Sequence, residues 1–472
     1  MKTRTIVNIL TILLASALSA AAQNNVIRQS ITGSWMGKIS TGAIDLRIVF
    51  NLSLVEKDSL VATLDSPDQG AKNIKLGPVT LSGENIKISA GALMAEYNGR
   101  ITNDTTMEGT WKQAGNSLPL NLTKLKKTFE IKRPQEPKPP YPYKSEEVTF
   151  PNSKADITLA GTLTIPAGPG PFPAVVLITG SGAQNRNEEL MGHKPFLVIA
   201  DYLSRNGIAV LRYDDRGVGK SQGNYAAATS ADLATDAEAA LEWLKNDSRI
   251  NSKSIGLAGH SEGGLIAPIV SSRNNSVAFI VSLAGPGLTG EQIIFRQSAD
   301  ISRLSGVSEK EITESLATNK QLFAILKKEN DNTLASEKMN ALYKEILDKQ
   351  DMKPEDKEKA VKQVQASLNP AGLTWMRYFL VTDPVHFWKE VKCPVLALNG
   401  AKDLQVAADE NLAAIENALA KSKNKRFKTQ KMPELNHLFQ HCKTGLPAEY
   451  GEIEETFSAE ALKLISDWIL GL

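Results

Sequence analysis

From Ile31 to about Lys126, apolar and polar residues alternate in short runs such as IDLRIVFNLSL, NIKLGPVTLSG and TMEGTWKQ. A period of two sends successive side chains to opposite faces, and the Gly, Asn and Asp between the runs supply turns. The pattern predicts a small all-β domain over residues 31–126, a half-barrel or sandwich. Trp35, Tyr97 and Trp111 are expected to be core aromatics of that domain rather than a ligand face. The stretch KRPQEPKPPYPY then breaks the alternation. So many prolines favour extended backbone, and a Pro-rich linker is expected over 127–144, either as a semi-rigid spacer or as a loop packed along one domain.

Beyond the prolines the rhythm changes. EEVTFPNSKADITLAGTLTIP predicts two antiparallel strands, and then PAVVLITG, GIAVLRYD, KSIGLAG, AFIVSLAG and CPVLALNG form near-continuous apolar runs. Runs of that kind mark strands buried on both faces of a parallel sheet. Helical patterns such as KPFLVIADYLSRNG and SADLATDAEAALEWLKND lie between them, which predicts a doubly wound α/β domain over 145–472. One connection, at about 288–392, is too long for a simple crossover. It reads as amphipathic helices, one opening with the capping box Ser308–Glu311, and is expected to form a helical cap over a site.

The first residues, MKTRTIVNILTILLASALSAAAQ, combine a basic start, a short apolar stretch and small residues ending at Ala22. That layout predicts a signal peptide over 1–22, export to a periplasm or beyond, and no stable membrane insertion once it is removed. The 472 residues carry a formal charge of +2, with Lys and Arg mixed among Asp and Glu, so no basic field for nucleic acid is present. The two cysteines, Cys393 and Cys442, are too few for a disulfide framework, and whether they pair stays open. A homo-oligomer is neither required nor excluded.

Within the α/β pattern, Gly259-His260-Ser261-Glu262-Gly263 matches G-x-S-x-G between a buried strand and a helix. Glycines there permit a sharp turn that exposes Ser261, and the helix behind it offers free N–H groups, with Pro268 expected to kink its axis. A serine hydroxyl needs a base, and the base an orienting acid. His437, in PELNHLFQH after the last strand, is the expected base, and His441 a surface or capping residue. Asp403, just past the strand VLALNG, is the expected acid, Asp409 the weaker candidate. Oxyanion N–H groups are expected from Glu262 and from Ser181 or Gly182 in the loop of VVLITGSGAQ. Asp215, Arg216 and Ser221 of LRYDDRGVGKSQG are expected to brace these loops, with substrate contact the alternative, while the Glu262 side chain either lines the pocket or pairs with a residue such as Arg186. No phosphate-loop signature accompanies the glycines.

TGSG, YDDRGVGKS, GHSEGG, NGAKDLQV and NHLFQ follow one another in an order that resembles the α/β-hydrolase superfamily over 145–472. More narrowly, GSGAQNRNE followed by KPFLVIADYLSRNGIAVLRYDDRGVGKS resembles the EstD-like bacterial carboxylesterases. The resemblance implies an α/β-hydrolase fold with a helical cap behind a small all-β domain. It implies hydrolysis of short acyl esters by Ser261, Asp403 and His437 on a small-molecule substrate, without cofactor or metal. Thr179 departs from the family, where many members carry histidine. Trp375, Tyr378 and Phe379 of LTWMRYFLVTDP are candidates to line an acyl pocket or to pack the cap. Two rival functions remain: a serine exopeptidase of the prolyl-oligopeptidase group, and a glycan or cell-wall binding protein on a hydrolase scaffold.

Overall fold

The computed structural model describes residues 28–40, 45–55, 59–69, 71–113, 115–127, 132–350, 354–368, 370–422 and 424–472. The expected signal peptide, 1–22, lies outside the described residues. The chain divides into two compact units, Met1–Lys132 with Leu190–His193, and Arg133–Glu189 with Lys194–Leu472.

The larger unit is built on one eight-stranded sheet: β1 (Lys144–Asn152), β2 (Ile157–Ile165), β3 (Phe172–Ile178), β4 (Ala209–Tyr213), β5 (Ile250–His260), β6 (Ile280–Leu283), β7 (Val395–Gly400) and β8 (Phe427–Met432). Their order is β1-β2-β4-β3-β5-β6-β7-β8. The first two strands and the β2–β4 pair are antiparallel, and every later pairing is parallel. This is the α/β-hydrolase fold. Side chains alternate across it: Val176, Leu211, Leu257 and Ala397 enter the core on one face, Val175, Val210, Ala258 and Leu396 that on the other.

Helices α1 (Pro195–Arg205), α2 (Ser230–Leu244) and α3 (Gly263–Arg273) cross between the central strands. Pro268 lies inside α3, which runs on to Arg273. Between β6 and β7 stand α4 (Gly290–Leu304), α5 (Glu309–Lys328), α6 (Asn332–Asp348), α7 (Pro354–Ser367), α8 (Pro370–Val381) and α9 (Pro384–Trp388), and α10 (Ala408–Lys421) and α11 (Ala459–Leu470) complete the unit. The α4–α9 insertion has its own small core of Leu322, Phe323, Leu326, Met339, Leu373 and Leu380. Arg377 of α8 donates to the carbonyls of Leu326 and Glu329, satisfying oxygens at the end of α5 that have no intrahelical partner.

The proline-rich stretch is no free spacer from Arg133 onward. The Arg133 guanidinium donates to the carbonyls of Ile453 and Gly451 at 2.8 and 2.9 Å. Gln135 accepts from the Thr456 and Phe457 amides at 2.6 and 3.1 Å and donates back to the Phe457 carbonyl. Proline lacks an N–H, so polar side chains between the prolines carry the docking instead.

The smaller unit is one antiparallel sheet whose strands include Gly33–Ser40, Asp45–Val55, Ala95–Asn103 and Thr106–Gln113. Trp35, Phe50, Tyr97 and Trp111 are buried in its core, with Phe50 5.4 Å from the Tyr97 ring. Cys393 and Cys442 are both free thiols.

Trp388, fully buried at the end of the cap insertion, donates to the Pro286 carbonyl at 3.4 Å. Its replacement by alanine is expected to destabilise the protein by about 3–5 kcal/mol, the usual cost of emptying so large a buried site. The measurement is the urea midpoint at unchanged slope. A loss below about 1 kcal/mol would show that the site collapses without cost.

Candidate active site

The C-terminal ends of β3, β5 and β7 open onto one edge of the sheet, where parallel α/β sheets place their sites. β5 ends at His260, and the chain turns into α3 through Ser261, which has a φ of +52°. That is left-handed backbone, uncommon for a residue with a Cβ. The turn is forced by close packing. A Cβ on Gly259 would meet the Gly263 carbonyl oxygen at 2.0 Å, and one on Gly263 would meet that of Ile178 at 2.2 Å. The Ser261 N–H donates to the Leu283 carbonyl at 2.8 Å and ties the turn to β6.

Past β7, Asp403 is buried and held by three hydrogen bonds. Its Oδ1 accepts from the Gln405 and Val406 amides at 2.8 and 2.9 Å, and its Oδ2 lies 2.7 Å from Nδ1 of His437. His437 is buried too, its ring centroid 4.8 Å from that of His260, the residue before Ser261. Asp409 and His441 stand elsewhere: Asp409 is exposed and pairs with Lys431, and His441 sits between Glu455 and Glu460 at the start of α11. Both glutamates raise the His441 pKa against a partial desolvation that lowers it.

His260 is itself held at both ring nitrogens. Nδ1 lies 2.8 Å from Glu188 Oε1, and Nε2 3.0 Å from the carbonyl oxygen of His437. Glu188 Oε1 also accepts the Gly180 N–H at 2.7 Å. Burial opposes charge on His260, but the Glu188 carboxylate outweighs it and the pKa is raised.

The loop after β3 is shaped by small residues. A Cβ on Gly180 would stand 3.2 Å from the Ser261 Cβ, so the loop lies directly against the turn. The Thr179 hydroxyl donates to Asp215 Oδ1 at 2.8 Å, and the Gln184 amide donates to Oδ2 at 2.9 Å. Burial pushes the Asp215 carboxyl up to about 8 in spite of those donors. Gly182 is a correction: its N–H donates to the Tyr225 hydroxyl at 2.9 Å and is not free for an oxyanion. Ser181 and Glu262 donate from their backbone to no described residue, so these two amides remain.

A scan against family models matches residues 156–435 to the X-Pro dipeptidyl-peptidase (S15 family) description, more than half of the chain. The chain belongs to the S15 family. Among curated proteins, this S15 member is 34% identical over 161 residues to esterase EstD of Thermotoga maritima. That alignment covers 34% of the chain and 38% of EstD, so the chain spans well under half the length of the curated relative it matches. Among solved structures it is similar to hypothetical protein PA2218 of Pseudomonas aeruginosa, with 16% identity, a TM-score of 0.45, and coverage of 74% of this chain and 99% of that one. It is also similar to the Pyrococcus furiosus esterase Pf2001, at 16% identity and a TM-score of 0.41 over 70% of this chain and 93% of that one.

In this S15 chain the residues anticipated as a bracing set work through separate partners. Asp215 holds the Thr179 loop, Arg216 pairs with Asp236 of α2 at 2.8 Å, and the Ser221 hydroxyl bridges the Asp214 carbonyl and the Ala160 amide of β2. Arg186 engages Asp214 and Glu147, not Glu262. The Glu262 carboxylate is buried, and its Oε1 accepts from the Ser230 hydroxyl at 2.6 Å and from the Trp375 indole N–H at 2.7 Å. Burial raises its pKa, and those two donors offset part of the rise. Trp375 and Phe379 stack at 5.0 Å, Phe379 covers Gly290, and Tyr378 is half-buried beside them. Trp375 is thus committed to docking the cap against the turn. Sequence reasoning missed Glu188, His260 and Tyr225. Of these only His260 carried a signal, as a scarce histidine directly before Ser261.

Trp375→Phe keeps the stacked ring and removes only the indole donor. It is expected to cost about 1–3 kcal/mol in urea unfolding, the range for a buried acceptor that loses a partner. A variant as stable as the parent would show that the Trp375–Glu262 bond contributes nothing net.

Proposed function

We propose that the protein is an exported serine hydrolase that cleaves carboxylic esters of short acyl chains. The observation that carries the reading is the buried 2.7 Å bond between Asp403 and His437, whose ring packs against His260, the residue before the strained Ser261. Asp403 engages Nδ1, so Nε2 is the nitrogen left to accept the Ser261 proton as the hydroxyl attacks the acyl carbon. The Ser261 oxygen bonds to that carbon, whose carbonyl oxygen becomes the oxyanion of a tetrahedral intermediate facing the Glu262 and Ser181 amides at the start of α3 and in the loop after β3; its collapse expels the alcohol and leaves the acyl-enzyme. His437 returns the proton to the leaving alcohol, and water then repeats the sequence to release the acid. The segment over 1–22 supports export, and the identity with esterase EstD supports an ester as substrate.

A second reading, cleavage of X-Pro dipeptides, is favoured by the S15 family match. It is favoured also by Glu262 Oε2, a buried carboxylate oxygen with no hydrogen-bond partner next to Ser261, since an ammonium group is what such an oxygen attracts. The two readings share one chemistry and part at the scissile bond.

Purified protein is expected to react with a fluorophosphonate probe and to hydrolyse 4-nitrophenyl acetate and butyrate faster than X-Pro 4-nitroanilides. Ser261→Ala is expected to abolish labelling and to lower kcat/KM by about 10⁴-fold or more. Labelling that survives Ser261→Ala overturns the nucleophile, and faster cleavage of the anilides replaces the ester with the dipeptide.

A further inference from the structure

His260 and Glu188 form a polar chain outside the Ser261, Asp403 and His437 set. The chain runs from the Gly180 amide through Glu188 Oε1 and the His260 ring to the carbonyl oxygen of His437. Each link is short, and all of it is buried. Both groups facing His260 are acceptors, a carboxylate oxygen and a peptide carbonyl. An imidazole satisfies two acceptors only when both nitrogens carry hydrogen, which is the imidazolium ion.

We propose that Glu188 and His260 are positioning residues: as a buried carboxylate–imidazolium pair they tie the loop carrying His437 to the loop beginning at Gly180, so that turnover requires His260 to hold its proton. This rests on the reading of Ser261, Asp403 and His437 given above. Gly180 leads into the Ser181 amide, and the His437 carbonyl belongs to the proposed base itself. One charged pair therefore sets the relative position of oxyanion donor and base. Small errors there are costly, because misplacement by about 1 Å can reduce a rate about a hundredfold.

The apolar walls oppose charge on the pair, and the neighbouring carboxylates outweigh them. Pro195, Phe196, Ile199, Leu283, Leu438 and Phe457 wall it with apolar atoms from α1, β6 and the C-terminal segments. The charged groups that act on His260 are Glu188, in contact, and Asp403, beyond His437. Both favour the proton, and the raised pKa of His260 agrees with the geometry. The sign follows. A group whose pKa is higher in the folded than in the unfolded state contributes stability that is complete below the ordinary imidazole value, about 6.5, and is lost as pH rises through the raised value. Once neutral, with its one proton shared with Glu188, His260 turns the bare Nε2 lone pair on the His437 carbonyl, and the tether becomes a repulsion.

The test compares wild type with Glu188→Gln, which keeps an acceptor for Gly180 but removes the charge. Hydrolysis of 4-nitrophenyl acetate is followed from pH 5 to 10, and the five histidine rings are titrated by NMR. In wild type, His260 is expected to titrate above the ordinary imidazole value and the alkaline limb of kcat to coincide with it. In Glu188→Gln both are expected to move down by about one pH unit or more, the effect of removing a close opposite charge. At pH 8 kcat should fall about tenfold with KM within about twofold. Glu188→Asp, which restores the charge, should recover the wild-type limb and also serves if the glutamine variant fails to fold. A His260 that titrates at or below the ordinary value, or an alkaline limb unmoved in Glu188→Gln, overturns the proposal. If wild type neither hydrolyses the ester nor takes up the fluorophosphonate, the reading of Ser261 fails, and the ring titration still decides whether the buried pair is charged.

Discussion

Three backbones meet at the end of β5 with no room for a single extra carbon. Gly259 lies against Gly263, and Gly263 against the Ile178 carbonyl at the end of β3, so strand, turn and helix pack main chain to main chain. A helix can start there only if the chain reverses within one residue, and Ser261 takes the left-handed conformation at about 1–2 kcal/mol. The flanking strands repay that cost, since β5 is paired on both sides and buried along its last six residues. Relaxing the turn would mean parting α3 from β3. The half-buried position of Ser261 and the start of α3 directly behind it both descend from this contact.

Around the turn the protein buries the carboxyl groups of Glu188, Asp215, Glu262 and Asp403, none of which pairs with a lysine or arginine among the described residues. Desolvating a carboxylate costs several kcal/mol, and hydrogen bonds to charged groups return about 1.5–3 kcal/mol each, so two or three donors are needed per group. Asp403 has two amides and His437, Glu188 has the Gly180 amide and His260, and Glu262 has Ser230 and Trp375. For Asp215 a hydroxyl and one amide do not offset burial and the nearby Glu262 and Asp236 carboxylates, which push its pKa up to about 8. Thr179 explains itself here. Its hydroxyl supplies one of the two donors to Asp215 and fixes the start of the loop against which Ser261 turns.

What the sequence disclosed and what it hid divide along contact distance. The parallel sheet was readable because each buried strand is a continuous apolar run, and the turn at Ser261 because its glycines and helix are adjacent in the chain. The Asp403–His437 contact could be anticipated because strand ends are countable. The Glu188–His260 bond joins residues 72 apart, Gly182–Tyr225 43 apart and Trp375–Glu262 113 apart. No local pattern encodes such pairs, since any glutamate, tyrosine or tryptophan on a nearby loop would read the same. Which of the two readings of the proline-rich stretch holds was hidden for a related reason: the side chains of Arg133 and Gln135, rather than the prolines, decide whether it packs, and their acceptors lie more than 300 residues on.

The same accounting bears on the cap. Arg296 of α4 pairs with Glu410 of α10, but both are exposed, and such pairs are worth about 0–1 kcal/mol. Asn411 accepts from the Gly287 and Leu288 amides and fixes only the entry to the insertion. The link from the body of the cap to the turn is the indole N–H of Trp375 on Glu262. Any displacement of α8 leaves that carboxyl with Ser230 alone, in a site where Oε2 already has no partner. Burial that would tolerate an open cap calls for a solvated or absent carboxyl at position 262. The glutamate present there instead makes the docked position of α8 a condition for one of its two hydrogen bonds, so the cap and the residue behind Ser261 are coupled through one side chain.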